Sequence, residues 1–183
     1  MNSLEESLLR IARILKANKI PYMVIGGVAN LFWGVPRATL DIDITIQVPE
    51  DSQTVLITKM KRNYKLRISN PISFVQRTNV LPLEDKSGVR VDLIFAKLPY
   101  EIKAIRRSKR MRIHGESVQI CSPEDLVVHK IISDRPKDRE DVRGIISSVG
   151  KKLNRRYLDP IIKELAKELV RPEILKYYHS CFS

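Results

Sequence analysis

Hydrophobic and polar residues alternate strictly along two short segments in the first half of the chain. From Leu40 to Val48 every second residue is aliphatic, and the intervening positions include Asp41 and Asp43. The same pattern runs from Val89 to Phe95, with Asp92 among the intervening positions. Because successive side chains of a β-strand point to opposite faces, each segment is predicted to be a strand with one buried face.

A period of three to four residues marks the helices. Leucine and isoleucine recur at this spacing from Leu4 to Leu15, after a capping box formed by Ser3 and Glu6. From residue 122 onward the chain reads as helical, with apolar residues again at helical spacing. The helix starts predicted in this second half are Ser122 (followed by Pro123), Asp138 as an N-cap, and Pro160 at a first turn.

Shorter signals complete the first half. Tyr22–Ile25 is an apolar strand candidate that ends at Gly26-Gly27, where a second helix is predicted to begin. Residues 51–61 favour a helix, residues 64–83 predict one or two short strands, and 111–113 with 117–121 predict a hairpin. The predicted fold is α/β (α+β), with a mixed β-sheet core flanked by helices over residues 1–121. A C-terminal helical region over 122–183 completes the site, and the two parts can also form one compact domain.

Composition narrows the class of protein. The chain has 183 residues and a formal net charge of +12, from 33 Lys and Arg against 21 Asp and Glu. That excess favours a polyanionic partner such as nucleic acid, although a heavily charged soluble surface explains it too. No apolar run is long enough to span a bilayer and no signal peptide is apparent, so no membrane partner and a cytoplasmic location are expected. Cys121 and Cys181 have no partner at metal-ligand spacing.

Three aspartates form the candidate chemistry. Asp41 and Asp43 share one face of their strand, and Asp92 lies on the polar side of another strand. If the two strands are neighbours, roughly 5 Å apart, the three carboxylates converge. A hard divalent cation relieves their repulsion, and oxygen ligands suit Mg²⁺ or Mn²⁺. The alternative is that Asp41 and Asp43 only form the solvent-facing side of an amphipathic strand, although aspartate is disfavoured in strands.

The glycine pair Gly26-Gly27 lies at a strand-to-helix junction. The first backbone N–H groups of a helix and its positive end bind phosphate well, and glycine allows a phosphate to approach the backbone closely. The alternative is an ordinary tight turn. The later residues of the dinucleotide-binding and Walker A motifs are absent after this pair.

These residues together resemble the nucleotidyltransferase superfamily that includes DNA polymerase beta. The motif is Gly26-Gly27, thirteen residues, Asp41-Ile42-Asp43-Ile44, and then Asp92 in Val91-Asp92-Leu93-Ile94. The second half resembles the small bacterial and archaeal branch related to AbiEii-type toxins. The matching residues there are Pro123-Glu124-Asp125-Leu126, Lys130, Arg135-Pro136-Lys137-Asp138 and Asp141-Val142.

The resemblance implies a metal-dependent enzyme that uses an NTP substrate. Asp41, Asp43 and Asp92 would be the catalytic residues and would bind Mg²⁺ or Mn²⁺, with Asp92 beside the acceptor hydroxyl. Gly26 and Gly27 would hold the triphosphate. Many relatives have serine at the second of these positions, so backbone N–H groups must replace that hydroxyl at Gly27.

Four further residues are predicted to bind the nucleotide. Arg37 and Thr39, just before the acids, would reach phosphate oxygens, although Arg37 can equally be a surface cation of the loop. Lys130 falls inside the apolar arc of its helix, where a lysine either extends toward solvent or is held for an anion. With the neighbouring motif, phosphate contact is preferred. Asp138 either caps its helix or positions a cation or substrate.

The sequence says less about the acceptor. The leading hypothesis is nucleotidyl transfer from an NTP to RNA, at a tRNA 3′ end, as in the toxin-like relatives. The alternatives are transfer of AMP to a partner protein in an antitoxin-type reaction, transfer to a small molecule such as a hydroxyl-bearing antibiotic, and a non-catalytic module that binds nucleotide or RNA. A partner protein of a toxin–antitoxin pair therefore stays among the expected partners.

Overall fold

The computed structural model of the protein describes residues 1–182. The strands are β1 (Tyr22–Ile25), β2 (Asp41–Ile46), β3 (Lys65–Leu66), β4 (Val80–Glu84), β5 (Arg90–Phe95), β6 (Lys109–Ile113) and β7 (Glu116–Ile120). The helices are α1 (Ser3–Ala17), α2 (Gly26–Trp33), α3 (Glu50–Met60), α4 (Pro71–Thr78), α5 (Pro99–Arg107), α6 (Pro123–Ile131), α7 (Pro136–Val149), α8 (Arg155–Glu168) and α9 (Glu173–Ser180). A 3-10 turn covers Gly150–Lys152. The predicted mixed α/β architecture is confirmed.

Two compact units divide the chain, and the division falls within α2. The first unit contains Met1–Val28 and Ala38–Cys121. The second unit contains Ala29–Arg37 and Ser122–Ser183.

The first unit is built on one seven-stranded mixed sheet in the order β3-β4-β5-β2-β1-β7-β6. β2 is antiparallel to β1 and parallel to β5, and β1 is parallel to β7. The β3–β4, β4–β5 and β6–β7 pairs are antiparallel. β2 and β5 are neighbours in the interior of the sheet, and their alternation gives each strand one aliphatic face that packs under a layer of side chains.

Burial follows the predicted alternation closely. Ile42, Ile44 and Ile46 of β2 are fully buried, and the corresponding aliphatic positions of β5 are buried as well. Each such side chain contributes roughly 1.5–3 kcal/mol through the area that it removes from water. Leu40 was expected to be part of this stripe but is 84% exposed, because the strand begins only at Asp41.

The second unit packs helices α6 to α9 around aliphatic residues such as Leu126, Ile145 and Ile162. Ser122 caps α6 as predicted: its side chain accepts a hydrogen bond from the Asp125 backbone N–H, and Pro123 occupies the first turn. In the part of the chain that the structure describes, no helix is both long enough and apolar enough to cross a membrane.

Three local predictions are wrong. The cap of α1 is Asn2 with Glu5 rather than Ser3 with Glu6, since Asn2 is an equally good cap one residue earlier. The two short strands predicted within residues 64–83 are present as β3 and β4, and the structure adds a helix between them, α4, which Pro71 starts. The other two errors concern Asp138 and Pro160.

Asp138 is not the N-cap of its helix. α7 begins at Pro136 with Arg135 as the cap residue, so Asp138 lies in the first turn with its carboxylate free for tertiary contacts. Pro160 does not open its helix either. It lies inside α8, which begins at Arg155 after Asn154 has capped it by accepting a hydrogen bond from the Tyr157 backbone N–H. Pro160 is the sixth residue of α8, beyond the first turn, so it has no N–H to donate to the carbonyl of Arg156 four residues earlier.

Candidate active site

The parallel pairing of β2 with β5 brings two of the predicted carboxylates side by side. Asp43 is directly opposite Asp92, and Asp41 is opposite Arg90. Adjacent strands lie about 5 Å apart, and directly paired residues share a face of the sheet. All three aspartates therefore lie on one face of the first unit, over two neighbouring central strands.

Asp92 and Asp43 are both half-buried, whereas Asp41 is exposed. The Oδ1 atom of Asp92 is buried, and no hydrogen bond reaches it from the residues that the structure describes. Burial raises the pKa of the Asp92 carboxyl above its ordinary value. The positive charge of Arg67 opposes this rise and the negative charge of Asp41 adds to it. A buried carboxylate oxygen without a partner is costly, so it indicates a place where a ligand belongs.

The Gly26 turn is shaped around Asp43. Gly26 follows β1 and has a φ of +65°, in the left-handed region that glycine adopts easily. A Cβ atom on residue 26 would overlap the Asp43 carboxylate, and would lie 2.9 Å from its Cγ and 3.1 Å from its Cβ. Only glycine at this position lets the backbone at the start of α2 approach the acid so closely.

Gly27 has a similar close neighbour in Thr39. A Cβ atom on residue 27 would lie 2.8 Å from the Cβ of Thr39 and would overlap its hydroxyl. The Thr39 Oγ1 atom donates a hydrogen bond to Asp41 Oδ1 at 3.1 Å. The structure thus brings Gly26, Gly27, Thr39 and the aspartates together within the first unit.

The donor set suits a hard cation. It consists of carboxylate oxygens, one of them buried and without a partner, which matches the preference of Mg²⁺ and Mn²⁺ for oxygen ligands. In the side-chain conformations of this structure, no three Asp, Glu, His or Cys residues within 1–182 are placed so that they could hold one metal ion together. Like charges repel when no cation joins them, which favours separated carboxylates.

The remaining predicted residues lie in the second unit, in a network of ion pairs. The Lys130 ammonium is 3.1 Å from Asp138 Oδ1 and 2.6 Å from Asp141 Oδ2, and the Lys130 side chain is only 5% exposed. Arg37 donates two hydrogen bonds to Asp141, from Nε at 2.9 Å and from Nη2 at 2.8 Å. Arg135 Nε donates to Asp138 Oδ2 at 2.6 Å. Lys130 therefore does not extend toward solvent, and the anions beside its ammonium group are two carboxylates of the protein; its predicted phosphate contact stays a prediction.

Both carboxylates of this network are ionised by their partners. Burial alone would raise the pKa of Asp138, but hydrogen bonds from Ser133 and Lys130 and the Lys130 charge hold it below its ordinary value. Burial likewise acts on Asp141, and the hydrogen bonds from Arg37 and Lys130 lower its pKa. The network is a charge cluster whose members neutralise one another.

Sequence reasoning missed two residues that the structure assigns to these clusters. Asp141 was named only within the Asp141-Val142 motif, with no functional role of its own, but it joins Lys130 to Arg37. Arg67 acts electrostatically on Asp92, although 25 residues separate them in the chain. A signal existed for Asp141, which lies three residues after Asp138 on the same helical face. None existed for Arg67, whose place depends on strand order.

The concavity of about 780 Å³ in the first unit is not part of this site. Lys19, Val48 and Lys59 are among the residues that line it, and none of the predicted site residues does. It lies at the other end of β1 and β2, because Tyr22 pairs with Ile46 there while Ile25 pairs with Asp43.

Comparison with known families supports the resemblance to nucleotidyltransferases, whereas the resemblance to the AbiEii-type branch stays a prediction. A family model described as a nucleotidyltransferase of unknown function (DUF6036) matches residues 3–176. Among curated proteins, no sequence matches the chain significantly.

Several solved structures share the fold. An antigenic nucleotidyltransferase-like protein from Paracoccidioides brasiliensis is 21% identical with a TM-score of 0.56, covering 96% of this chain and 92% of its own. ANT(2″)-Ia in complex with adenylyl-2″-tobramycin is 16% identical with a TM-score of 0.61, covering 92% and 99%. The lincosamide antibiotic adenylyltransferase LnuA, lincomycin-bound, is 16% identical with a TM-score of 0.56, covering 80% and 98%. At these identities the likeness concerns the fold alone.

Proposed function

The chain belongs to the DUF6036 family of nucleotidyltransferases of unknown function, and we propose that it transfers a nucleoside monophosphate from an NTP to a hydroxyl group in a metal-dependent reaction. The observation that carries the proposal is the pairing of Asp43 with Asp92 beside the Gly26 turn, with Asp92 Oδ1 buried and unpartnered. This arrangement is expensive without a ligand, and an NTP with its cation supplies one.

Asp41, Asp43 and Asp92 are the residues that would hold Mg²⁺ or Mn²⁺. When bound, such an ion stabilises negative charge on the reacting phosphate and lowers the pKa of the attacking hydroxyl. Asp92 orients that hydroxyl and accepts its proton. The hydroxyl oxygen forms a bond to the α-phosphorus, the bond from the α-phosphorus to the bridging oxygen breaks, and pyrophosphate leaves with the electron pair.

The triphosphate is proposed to bind at the start of α2. The backbone N–H groups at Gly26 and Gly27 and the positive helix end favour phosphate oxygens, and the absence of Cβ atoms at both positions lets Asp43 and Thr39 lie beside this backbone. Thr39 adds a hydroxyl group at the same place, since its side chain fills the space beside Gly27.

In the second unit, the ion pairs suggest different roles for the predicted nucleotide-binding residues. Lys130 has two of its three donors bound to Asp138 and Asp141, and it is 5% exposed. The Arg37 side chain is 32% exposed. We therefore expect Arg37 to contact a phosphate, while Lys130 and Asp138 hold Asp141 and thereby fix the direction of the Arg37 guanidinium.

The acceptor is proposed to be RNA, at a tRNA 3′ end. The net charge of +12 supports a polyanionic acceptor. A protein acceptor of the antitoxin type and a small-molecule acceptor are the alternatives, and membership of the toxin-like branch stays a prediction.

Transfer of label from nucleotides tests the proposal. The protein is incubated with Mg²⁺ and each α-³²P-labelled NTP, together with total cellular RNA, with a protein lysate or with a panel of hydroxyl-bearing antibiotics. Wild type is compared with Asp43→Asn, and Asp51→Asn serves as the matched control because Asp51 lies on the exposed first turn of α3.

We expect labelled RNA with wild type and with Asp51→Asn, and none with Asp43→Asn. Label on a protein band or on an antibiotic would replace RNA as the acceptor and keep the chemistry. Equal labelling by Asp43→Asn and wild type, or no label with any acceptor, would refute the proposed reaction.

A further inference from the structure

Strand register aligns an arginine with the carboxylates across four strands. The Arg67 backbone N–H donates to the Pro82 carbonyl at 3.0 Å, just beyond the β3–β4 ladder. Pro82 is directly opposite Asp92, which is directly opposite Asp43. Laterally paired residues share a face, so Arg67 lies in the same transverse row of side chains as Asp92 and Asp43.

The neighbouring row on this face is also charged. Lys65 pairs with Glu84, Glu84 with Arg90, and Arg90 with Asp41. Lys65 Nζ is 3.3 Å from Glu84 Oε1, and Arg67 Nε is 3.9 Å from Glu84 Oε2. Three cations thus surround a single Glu84 on the β5-β4-β3 side of the carboxylates, which leaves that side positively charged.

Arg67 is within reach of a group bound at Asp92. Two strand spacings, about 10 Å, separate the backbone of Arg67 from the backbone of Asp92, and an extended arginine side chain covers most of that distance. The Arg67 side chain is 33% exposed and lines an open groove of about 430 Å³ with Lys65, Ser69 and Glu84. The guanidinium therefore faces solvent beside the acid rather than being enclosed.

In the proposed reaction, the NTP and the acceptor bind on opposite sides of the three aspartates. The Gly26 turn follows β1, on one side of β2, and Arg67 lies on the other side, beyond β5 and β4. With the triphosphate at the Gly26 turn, an in-line displacement brings the attacking hydroxyl from the opposite side. The acceptor therefore approaches over β5, β4 and β3.

We propose that Arg67, with Lys65 and Arg90, binds a phosphate group adjacent to the acceptor hydroxyl, so that the acceptor is the end of a polynucleotide. This inference rests on the proposed function and assigns its acceptor side. Arginine binds phosphate through two parallel hydrogen bonds. An acceptor that carries several ammonium groups, such as an aminoglycoside, is disfavoured by the same three cations.

The test separates acceptor binding from NTP binding. A fluorescein-labelled single-stranded RNA of twelve nucleotides with a free 3′-hydroxyl is titrated with wild type, Arg67→Ala, Arg67→Lys and Arg112→Ala, in EDTA without NTP. Arg112 is the matched control because it is an exposed arginine on β6, at the opposite edge of the sheet. Thermal unfolding of each variant checks that it is folded.

We expect Arg67→Ala to weaken RNA binding by roughly fivefold to tenfold, as for the loss of a solvent-accessible charged hydrogen bond. The slope of log K against log salt should fall by about 0.7, the value for one phosphate contact on a single strand. Arg67→Lys should restore part of the affinity. In NMP transfer, the KM for RNA should rise by a similar factor and the KM for NTP should stay unchanged.

Equal RNA affinities for Arg67→Ala and Arg112→Ala would overturn the inference, as would faster labelling of tobramycin or of a protein than of RNA. The binding arm needs neither NTP nor metal, so its result stands if no acceptor is labelled. In that case the proposed reaction fails while a shift in RNA affinity still supports the phosphate-binding role of Arg67.

Discussion

Replacing Gly26 by alanine tests whether the close approach of the α2 backbone to Asp43 creates the site. The added Cβ would overlap the Asp43 carboxylate and lie 2.9 Å from its Cγ. Contacts of this length do not persist, so the carboxylate must move. Gly88→Ala is the matched control, because Gly88 also has a positive φ, +80°, but nothing lies within 4 Å of its added Cβ.

The expected magnitudes follow from two separate terms. Both substitutions place alanine in the left-handed region, at a cost of about 1 kcal/mol each. Gly26→Ala also displaces the Asp43 side chain, and a side chain pushed about 30° off a rotamer costs roughly 1 kcal/mol. Gly26→Ala should therefore have a Tm about 2–4 °C below that of Gly88→Ala. A displacement of about 1 Å at a reacting group costs roughly 100-fold in rate, so kcat should fall by that factor only in Gly26→Ala.

Initial rates of NMP transfer at saturating NTP and Mg²⁺ give kcat, and urea unfolding gives the free energy of unfolding. A double-mutant cycle with Asp43→Ala isolates the clash, since the second substitution removes the carboxylate. The extra destabilisation by Gly26→Ala should then largely vanish. The reasoning is refuted if Gly26→Ala keeps kcat within about threefold of wild type, or if the two glycine variants behave alike.

Three further predictions concern the buried charges. We expect Mg²⁺ to raise the Tm of the wild type, and Asp92→Asn should remove this rise and abolish transfer because a ligand oxygen is lost. Calorimetry with and without Mg²⁺ measures the Tm. An unchanged rise in Asp92→Asn would exclude Asp92 from the cation site. Lys130→Met should lower the free energy of unfolding by about 3 kcal/mol, because it leaves two buried carboxylates without their shared cation. Lys137 is exposed, so Lys137→Met should change this free energy little. Equal urea midpoints for the two variants would contradict the prediction. The lowered pKa values of Asp138 and Asp141 stabilise the fold above the ordinary aspartate pKa of about 3.9, and this stability is lost as the pH falls through the folded-state values. As the pH is lowered below about 4, the urea midpoint of the wild type should therefore fall, and that of Asp138→Asn should fall less steeply. Parallel pH profiles for the two proteins would argue against this contribution of Asp138.

Local patterns in the sequence were sufficient for the strands that carry the acids. The alternation around Asp41 and Asp43 predicts which side chains are buried, because a strand has a period of two residues whatever its neighbours are. The Ser122 cap of α6 was equally predictable, since capping involves only residues three positions apart. Where two local solutions compete, as for Asn2 and Ser3 at α1, the sequence alone does not rank them.

Contacts between distant segments were decided by tertiary structure. Arg67 meets the row of Asp92 only because β3, β4 and β5 pair in that order and register. Arg37 and Asp141 pair across 104 residues of chain. The sequence by itself determined the alternation of the strands and the Ser122 cap, and it led to the prediction that the three aspartates bind a cation. Only the fold decided which cations face them, because a single shift in register or strand order moves a side chain to another face and changes its partners.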